Sequence, residues 1–269
     1  MSTPLVRVLP AARHRSRISR SRLGDLIDAV TSLTLHPQQV PEPSDIAWVD
    51  DSGVKHDATP SAGVQAAPVQ PAPVKPSLLH VSRKGDTGAA LRLLEQGEDP
   101  NVHGEQGFTP LCYAAKSGDV RLMLALIKHG ADIEARTDAR WTPLHVAAGF
   151  NHPAAISVLV KYGACVDTVD VDGDTAILTA VALGFTECVQ QLIEANANVR
   201  VKSVLGETLL HVAAEGGYYT IASLLLAHGT PVNGTDGLGR TALDVAIASK
   251  NLKVAGLIAA ASRMRESWL

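Results

Sequence analysis

With 269 residues the chain holds one large domain or two modest ones, and a formal net charge of −3 excludes a surface built throughout to meet polyanions. Hydrophobic residues make up 46% of it but aromatics only 4%, so the apolar content is mostly Ala, Val and Leu, which suits close-packed helices better than a β-sandwich. No run reaches the roughly 18 to 20 apolar residues of a bilayer span, and three cysteines without a CxxC pair argue against a disulfide framework or structural zinc and for a reducing compartment.

In chain order, the first segment is a basic arm. It carries Arg7, Arg13, Arg15, Arg17, Arg20 and Arg22, with no acid before Asp25. That composition fits a transit peptide, a contact for nucleic acid or anionic lipid, an arm phosphorylated at Ser16, Ser19 or Ser21, or a passive solubilising tail. Leu23, Leu26, Ile27, Val30 and Leu33 then recur at helical spacing and predict a short amphipathic helix over 23–35, which docks on the folded domain or a partner or stays unfolded alone. Residues 46–55 read as a loop or short extended motif. Eight prolines between Pro37 and Pro76 mark a Pro/Ala-rich linker that cannot bury enough apolar surface to offset its backbone entropy, so residues 1–75 are expected to be largely disordered.

From residue 76 onward the chain repeats itself. Thr109-Pro-Leu-Cys, Thr142-Pro-Leu-His, Thr175-Ala-Ile-Leu, Thr208-Leu-Leu-His and Thr241-Ala-Leu-Asp start 33 residues apart each time, and Leu78, Gly85 and Asp86 stand 33 residues before Leu111, Gly118 and Asp119. Each Thr caps free amides at a helix entry, and the following Pro is tolerated where no N–H is needed. Pairs such as Ala114-Ala115, Ala147-Ala148 and Ala213-Ala214 let two helix layers approach, Gly130, Gly163 and Gly229 end the second helices, and Gly107, Gly173, Gly206 and Gly239 mark hairpin turns. One helical pair cannot bury its apolar face alone, so neighbours must stack into a solenoid. Two departures stand out. Arg140 replaces a turn glycine, which predicts a differently shaped finger, and Thr175-Ala-Ile-Leu178 lacks both Pro and His, which predicts a softer fourth repeat.

This pattern resembles the ankyrin repeat, carried by Thr142 to Ala148, Leu126 to Asp132 and His228-Gly229 to Asn233. The resemblance implies an all-α solenoid of about six helix-turn-helix repeats with short hairpin fingers, near 76–108, 109–141, 142–174, 175–207, 208–240 and 241–269. It also implies that function lies on the concave face, at the finger tips and the exposed ends of the first helices. Carried over residue by residue, the partner-binding strip comprises Phe108, Trp141, Asp174, Glu207 and Arg240 before each repeat Thr, Phe150 and Leu183 at helix ends, and Val171, Val204, Leu205 and Leu238 at finger tips. Phe108, Trp141 and Phe150 are expected to form an exposed aromatic patch, with self-packing as the alternative, and a double alanine replacement of Phe108 and Trp141 to leave the fold intact.

No GxxxxGK, GxGxxG, HExxH or GxSxG pattern is present, so neither catalytic residues nor a cofactor are expected. His145 and His211 read as structural hydrogen-bonding residues, Cys112 and Cys188 as small core residues, and Cys165 as a loop thiol. Asp167, Asp170, Asp172 and Asp174 crowd one finger without the spacing of a calcium loop, so no metal is assigned. Asn233-Gly-Thr235 reads as a chance match to a glycosylation acceptor. These features describe a monomeric, non-enzymatic adaptor, scaffold or inhibitor with a protein partner. The alternative is a regulator whose arginine arm meets nucleic acid or membrane. The expected location is the cytoplasm, with the nucleus or the mitochondrion as alternatives.

Overall fold

Each first helix is built by the same local chemistry. Thr109 sits in extended conformation and its side chain accepts the Cys112 N–H at 3.3 Å, while Pro110 opens helix α3 (Pro110–Ser117) where no hydrogen bond is missed. Thr142 and His145 form a reciprocal capping box before α5 (Pro143–Gly149), as do Thr208 and His211 before α9 (Leu209–Gly216) and Thr241 and Asp244 before α11 (Ala242–Ala248). Helices α1 (Leu78–Lys84) and α7 (Ala176–Leu183) complete the set of first helices. The second helices are α2 (Thr87–Glu95), α4 (Val120–Lys128), α6 (Pro153–Lys161), α8 (Thr186–Glu194), α10 (Tyr219–Ala227) and α12 (Leu252–Glu266).

The computed structural model describes residues 77–266, which fall within one compact unit. The basic arm, the predicted helix over 23–35, the 46–55 segment and the linker lie outside the described residues. Among the described residues the fold is all-α. First helices pack on first helices and second on second along the chain, giving two helical layers. Extended structure is limited to isolated antiparallel bridges, Val169 with Thr175, Lys202 with Thr208 and Thr235 with Thr241.

The apolar stripe repeats with the sequence. Leu111, Leu144, Ile177 and Leu210 are buried at one register position and Leu126, Leu159, Leu192, Leu225 and Ile258 at another. Ala114, Ala147, Ala180, Ala213 and Ala246 are all buried between the layers, where a larger side chain would hold the helices apart. Burying one Leu or Ile stabilises by about 1.5–3 kcal/mol, and this term, multiplied along the stack, drives the layers together.

Polar side chains then fasten each repeat to the next. Asn101, Glu134 and Asp167 accept the backbone N–H groups of Asp132, Cys165 and Asn198 at 2.7, 2.8 and 2.9 Å. The next pair in this register is Arg200 and Pro231, an acceptor lost where the imino acid has no N–H to offer. On the other side of the layer, His152 Nε2 donates to the Lys116 carbonyl at 2.8 Å, and Asn251 donates to the Ala214 and Glu215 carbonyls at 2.8 Å, so these side chains cap the first helix of the preceding repeat. Gly118 leaves room for this contact, since a Cβ there would lie 2.4 Å from His152 Nδ1.

The fourth repeat lacks two of these fasteners. Where His145 and His211 accept from their capping threonines, Leu178 cannot, and the buried Thr175 hydroxyl has no hydrogen-bond partner among the described residues. Phe185 stands where His152 and Asn251 donate. An orphaned buried hydroxyl costs about 1–3 kcal/mol. Thr175→Val, which removes the hydroxyl at constant shape, is therefore expected to raise stability by about 1 kcal/mol. Thr142→Val, which breaks a satisfied capping box, should lower it by about 1–2 kcal/mol. Thermal melts of the two variants check this, and a loss of equal size in both would contradict it.

Candidate functional site

Five fingers project between successive helix pairs, at 104–108, 137–141, 170–174, 203–207 and 236–240. In all five the backbone N–H of the first residue donates to the carbonyl of the fifth, Gly104 to Phe108, Thr137 to Trp141, Asp170 to Asp174, Ser203 to Glu207 and Asp236 to Arg240, at 2.9–3.0 Å, and in the last four that first residue carries a polar side chain. The side chain of that first residue locks the same turn. Asp170 Oδ1 accepts from the Asp172 and Asp174 N–H groups at 2.9 Å, and Asp236 Oδ1 from those of Leu238 and Arg240 at 2.9 Å. Arg140 adopts φ 59° in place of the glycine usual at its position, and its finger keeps the common closing bond, so the different shape expected there is not found. The left-handed conformation costs a side chain about 1–2 kcal/mol relative to glycine.

Backbone bonds also run between fingers: Asp138 N–H to Gln106 O, Val171 N–H to Ala139 O and Gly237 N–H to Leu205 O, at 3.0, 3.2 and 2.9 Å. Among the described residues no backbone bond joins the third finger to the fourth. The histidines add a second tie. With Nδ1 accepting from Thr142, His145 donates through Nε2 to the Asp174 carbonyl at 3.2 Å, and His211 in the same way to the Arg240 carbonyl at 2.9 Å. Burial pushes the His145 pKa down, which keeps the imidazole in the neutral form this bridge requires. The fourth finger has Leu178 behind it and receives no such bond.

The predicted strip divides on this scaffold. Val171, Val204, Leu205 and Leu238 are exposed at finger tips, Val204 by 76% and Leu238 by 69%. Phe150, Asp174, Leu183 and Arg240 are half-buried, with the Lys116 ammonium 5.3 Å from the Phe150 ring centroid. Phe108 and Trp141, expected as an exposed aromatic pair, are each only 3% exposed. The Trp141 Nε1–H donates to Asp170 Oδ2 at 3.1 Å and its ring approaches Gly149, where a Cβ would stand 3.3 Å from the indole; the Phe108 ring packs on Tyr113 at 5.3 Å between centroids. Both rings are core, and their truncation to alanine removes about 3–5 kcal/mol each, so the fold does not stay indifferent to the double replacement. Glu207 is also buried, at 5% exposure.

The acidic finger is not one cluster of equivalent groups. Asp167 bridges to the next repeat and Asp170 holds its turn and Trp141, so both are structural. Among the described residues no group of three or more His, Cys, Asp or Glu side chains is placed to hold a metal ion. Asp174 is different: no hydrogen-bond donor reaches its carboxylate among the described residues. Burial first, then the charges of Asp170, Asp172 and Glu207, push its pKa up to about 7. Glu207 is raised by burial and by Glu215, with Arg240 opposing. Arg240 itself grips Asp236, Nε at 2.8 Å and a terminal nitrogen at 2.7 Å.

A family model described as ankyrin repeats matches three times, over residues 77–171, 130–203 and 177–264. The chain belongs to the ankyrin-repeat family. A comparison with curated proteins gave no match. Ankyrin repeats mediate protein–protein interaction, and the helices, caps and fingers described above are the parts of that scaffold. No described helix is long and apolar enough to cross a membrane.

Sequence reasoning missed the finger locks Thr137, Asp170, Ser203 and Asp236, although they stand 33 residues apart and each is polar. It also missed the burial of Trp141. The signal was Asp170, an acceptor placed 29 residues on, the same separation at which His145 meets the Asp174 carbonyl.

Because the folded pKa of Asp174 lies above the ordinary carboxylate value of 3.8, the folded state holds this proton more tightly than the unfolded chain. That stability is present at low pH and is lost as pH rises toward 7. Asp174→Asn, permanently neutral, should gain on the wild type in melting temperature at pH 8 relative to pH 5. An identical difference at both pH values would contradict the assignment.

Proposed function

We propose that this ankyrin-repeat chain is a non-enzymatic adaptor, scaffold or inhibitor whose fingers and first helices, the concave face of such solenoids, bind a protein partner. The observation that carries this reading is the row of exposed apolar tips, Val171, Val204, Leu205 and Leu238, on three consecutive fingers. Scattered apolar residues on a surface need no explanation, but a repeated row on projecting elements exposes area that association removes from water. The tips are not needed by the fold. Val204 and Leu238 stand out from turns whose hydrogen bonds are made by backbone and by Ser203 and Asp236.

The neighbouring side chains give such a surface its specificity. Leu183 and Phe150 at the ends of α7 and α5 extend the apolar area, while Asp174 and Arg240 place opposite charges at the bases of the third and fifth fingers. Charges at the edge of an apolar patch set orientation and reject wrong partners more than they add affinity. Phe108 and Trp141 serve this surface from beneath, by fixing where the fingers stand.

Replacing Val171, Val204 and Leu205 together by Ser should leave the melting temperature nearly unchanged, because exposed substitutions away from special features usually stay within about 0.5 kcal/mol. Pull-down from the native extract, wild type against this variant, should lose the partner. A partner retained at full yield, or lost instead on deleting residues 1–75, would remove the finger face as the binding site.

A further inference from the structure

The third finger holds a carboxylate that no donor among the described residues answers. In the fifth finger, Arg240 occupies the position just before the repeat Thr and folds its guanidinium onto the turn aspartate Asp236, at 2.7 and 2.8 Å. In the third finger the same position is Asp174, and the turn aspartate Asp170 has its second oxygen taken by the Trp141 indole. An aspartate therefore faces an aspartate where the sibling finger has an arginine. Among the described residues no donor meets the Asp174 carboxylate. Behind it in the fourth finger lies Glu207, buried, with its carboxylate bonded, among the described residues, only by a long 3.4 Å contact from Ser203.

Around this half-buried carboxylate stand the exposed tips of the third and fourth fingers. Val171 is 55% exposed, Val204 76% and Leu205 46%, and Val204 reaches to within 3.5 Å of the Cβ position at Gly173 in the third finger. The tips and Asp174 thus belong to adjoining parts of one surface, apolar at the rim and negative at the base. A guanidinium or ammonium delivered there would meet the Asp174 carboxylate with the field of Asp170 and Glu207 behind it, while flanking apolar groups would land on the valines and the leucine.

We infer that the partner of this face presents a cationic segment, an arginine or lysine flanked by apolar residues, whose charge is seated at Asp174 and whose neighbours cover Val171, Val204 and Leu205. The inference rests on the reading that the finger face binds a protein. The fifth finger supplies the internal precedent: the same backbone turn already accommodates a guanidinium when the chain provides one. A neutral or acidic segment would leave Asp174 buried beneath it without a counter-charge, which disfavours association. The upward displacement of the Asp174 pKa is consistent with a carboxylate that awaits a cation.

The test uses the full chain and two labelled peptides, one with a central arginine flanked by leucine and valine, the other with citrulline, the neutral isostere, in place of the arginine. Fluorescence anisotropy is read at pH 8 for wild type, for Asp174→Asn and for the Val204→Ser, Leu205→Ser double variant. The expected result is that wild type binds the arginine peptide at least tenfold more tightly than the citrulline peptide. Asp174→Asn should erase that preference without weakening the citrulline peptide, and the tip variant should weaken both. Equal affinity for the two peptides, with the tip variant still weakening both, overturns the cationic partner and leaves the finger face standing as a binding surface. Binding that the tip variant does not alter, or no binding to wild type, overturns the inference; in the former case the finger-face reading falls with it. A concentration-dependent dimer that the tip variant abolishes assigns the surface to a second copy of the chain and also overturns it.

Discussion

The imidazoles of His145 and His211 are the joints on which this solenoid turns. Each accepts from its capping threonine with one nitrogen and holds the following finger's backbone with the other, so a helix entry and the position of the next finger are fixed by one buried ring. That double duty needs a neutral imidazole, and burial keeps His145 in that form. The apolar stripe of the stack supplies most of the stabilisation, but the burial that drives it is non-directional. The polar joints, at intervals of one repeat, convert layered helices into fingers held at defined places.

Seen along the stack, the joints thin out most in the fourth repeat. Leu178 and Phe185 replace hydrogen-bonding residues in the fourth repeat, the Thr175 hydroxyl is left without a partner, and the third and fourth fingers share no backbone bond among the described residues. The same two fingers carry Val171, Val204 and Leu205 at their tips and Asp174 at a base. A surface that must accept a partner gains from being the least firmly held part of its scaffold, since adjustment there breaks few native bonds. The physical departures from the repeat pattern and part of the exposed apolar row therefore coincide.

Much of the architecture was legible from residue spacing alone. Thr at a fixed period, paired alanines and glycines at helix ends each have one physical meaning, and the buried leucines fall where the period places them. What spacing could not show was the outcome for large residues at positions that tolerate many types. Phe108 and Trp141 occupy a variable register position, which suggests exposure, but an indole finds an acceptor in Asp170 and room over Gly149, and so it turns inward. The same logic misplaced Glu207, which the fourth finger folds beneath itself. By contrast Val171, Leu205 and Leu238, with no polar side-chain atom to anchor, stay outside. The acidic finger was readable as a composition only. The division of labour between Asp167, Asp170 and Asp174 depends on which backbone amides each carboxylate reaches, and that is a three-dimensional fact.

The claim that the fourth repeat is the loosened joint beneath the binding fingers is tested most directly by native-state hydrogen exchange resolved to short peptides. The account predicts that amides of α7, at 176–183, and of the fourth finger exchange faster than those of α5 and α9 and their fingers, by the margin that two missing tethers imply. Protection that is uniform across the three first helices, or greatest in α7, would contradict it.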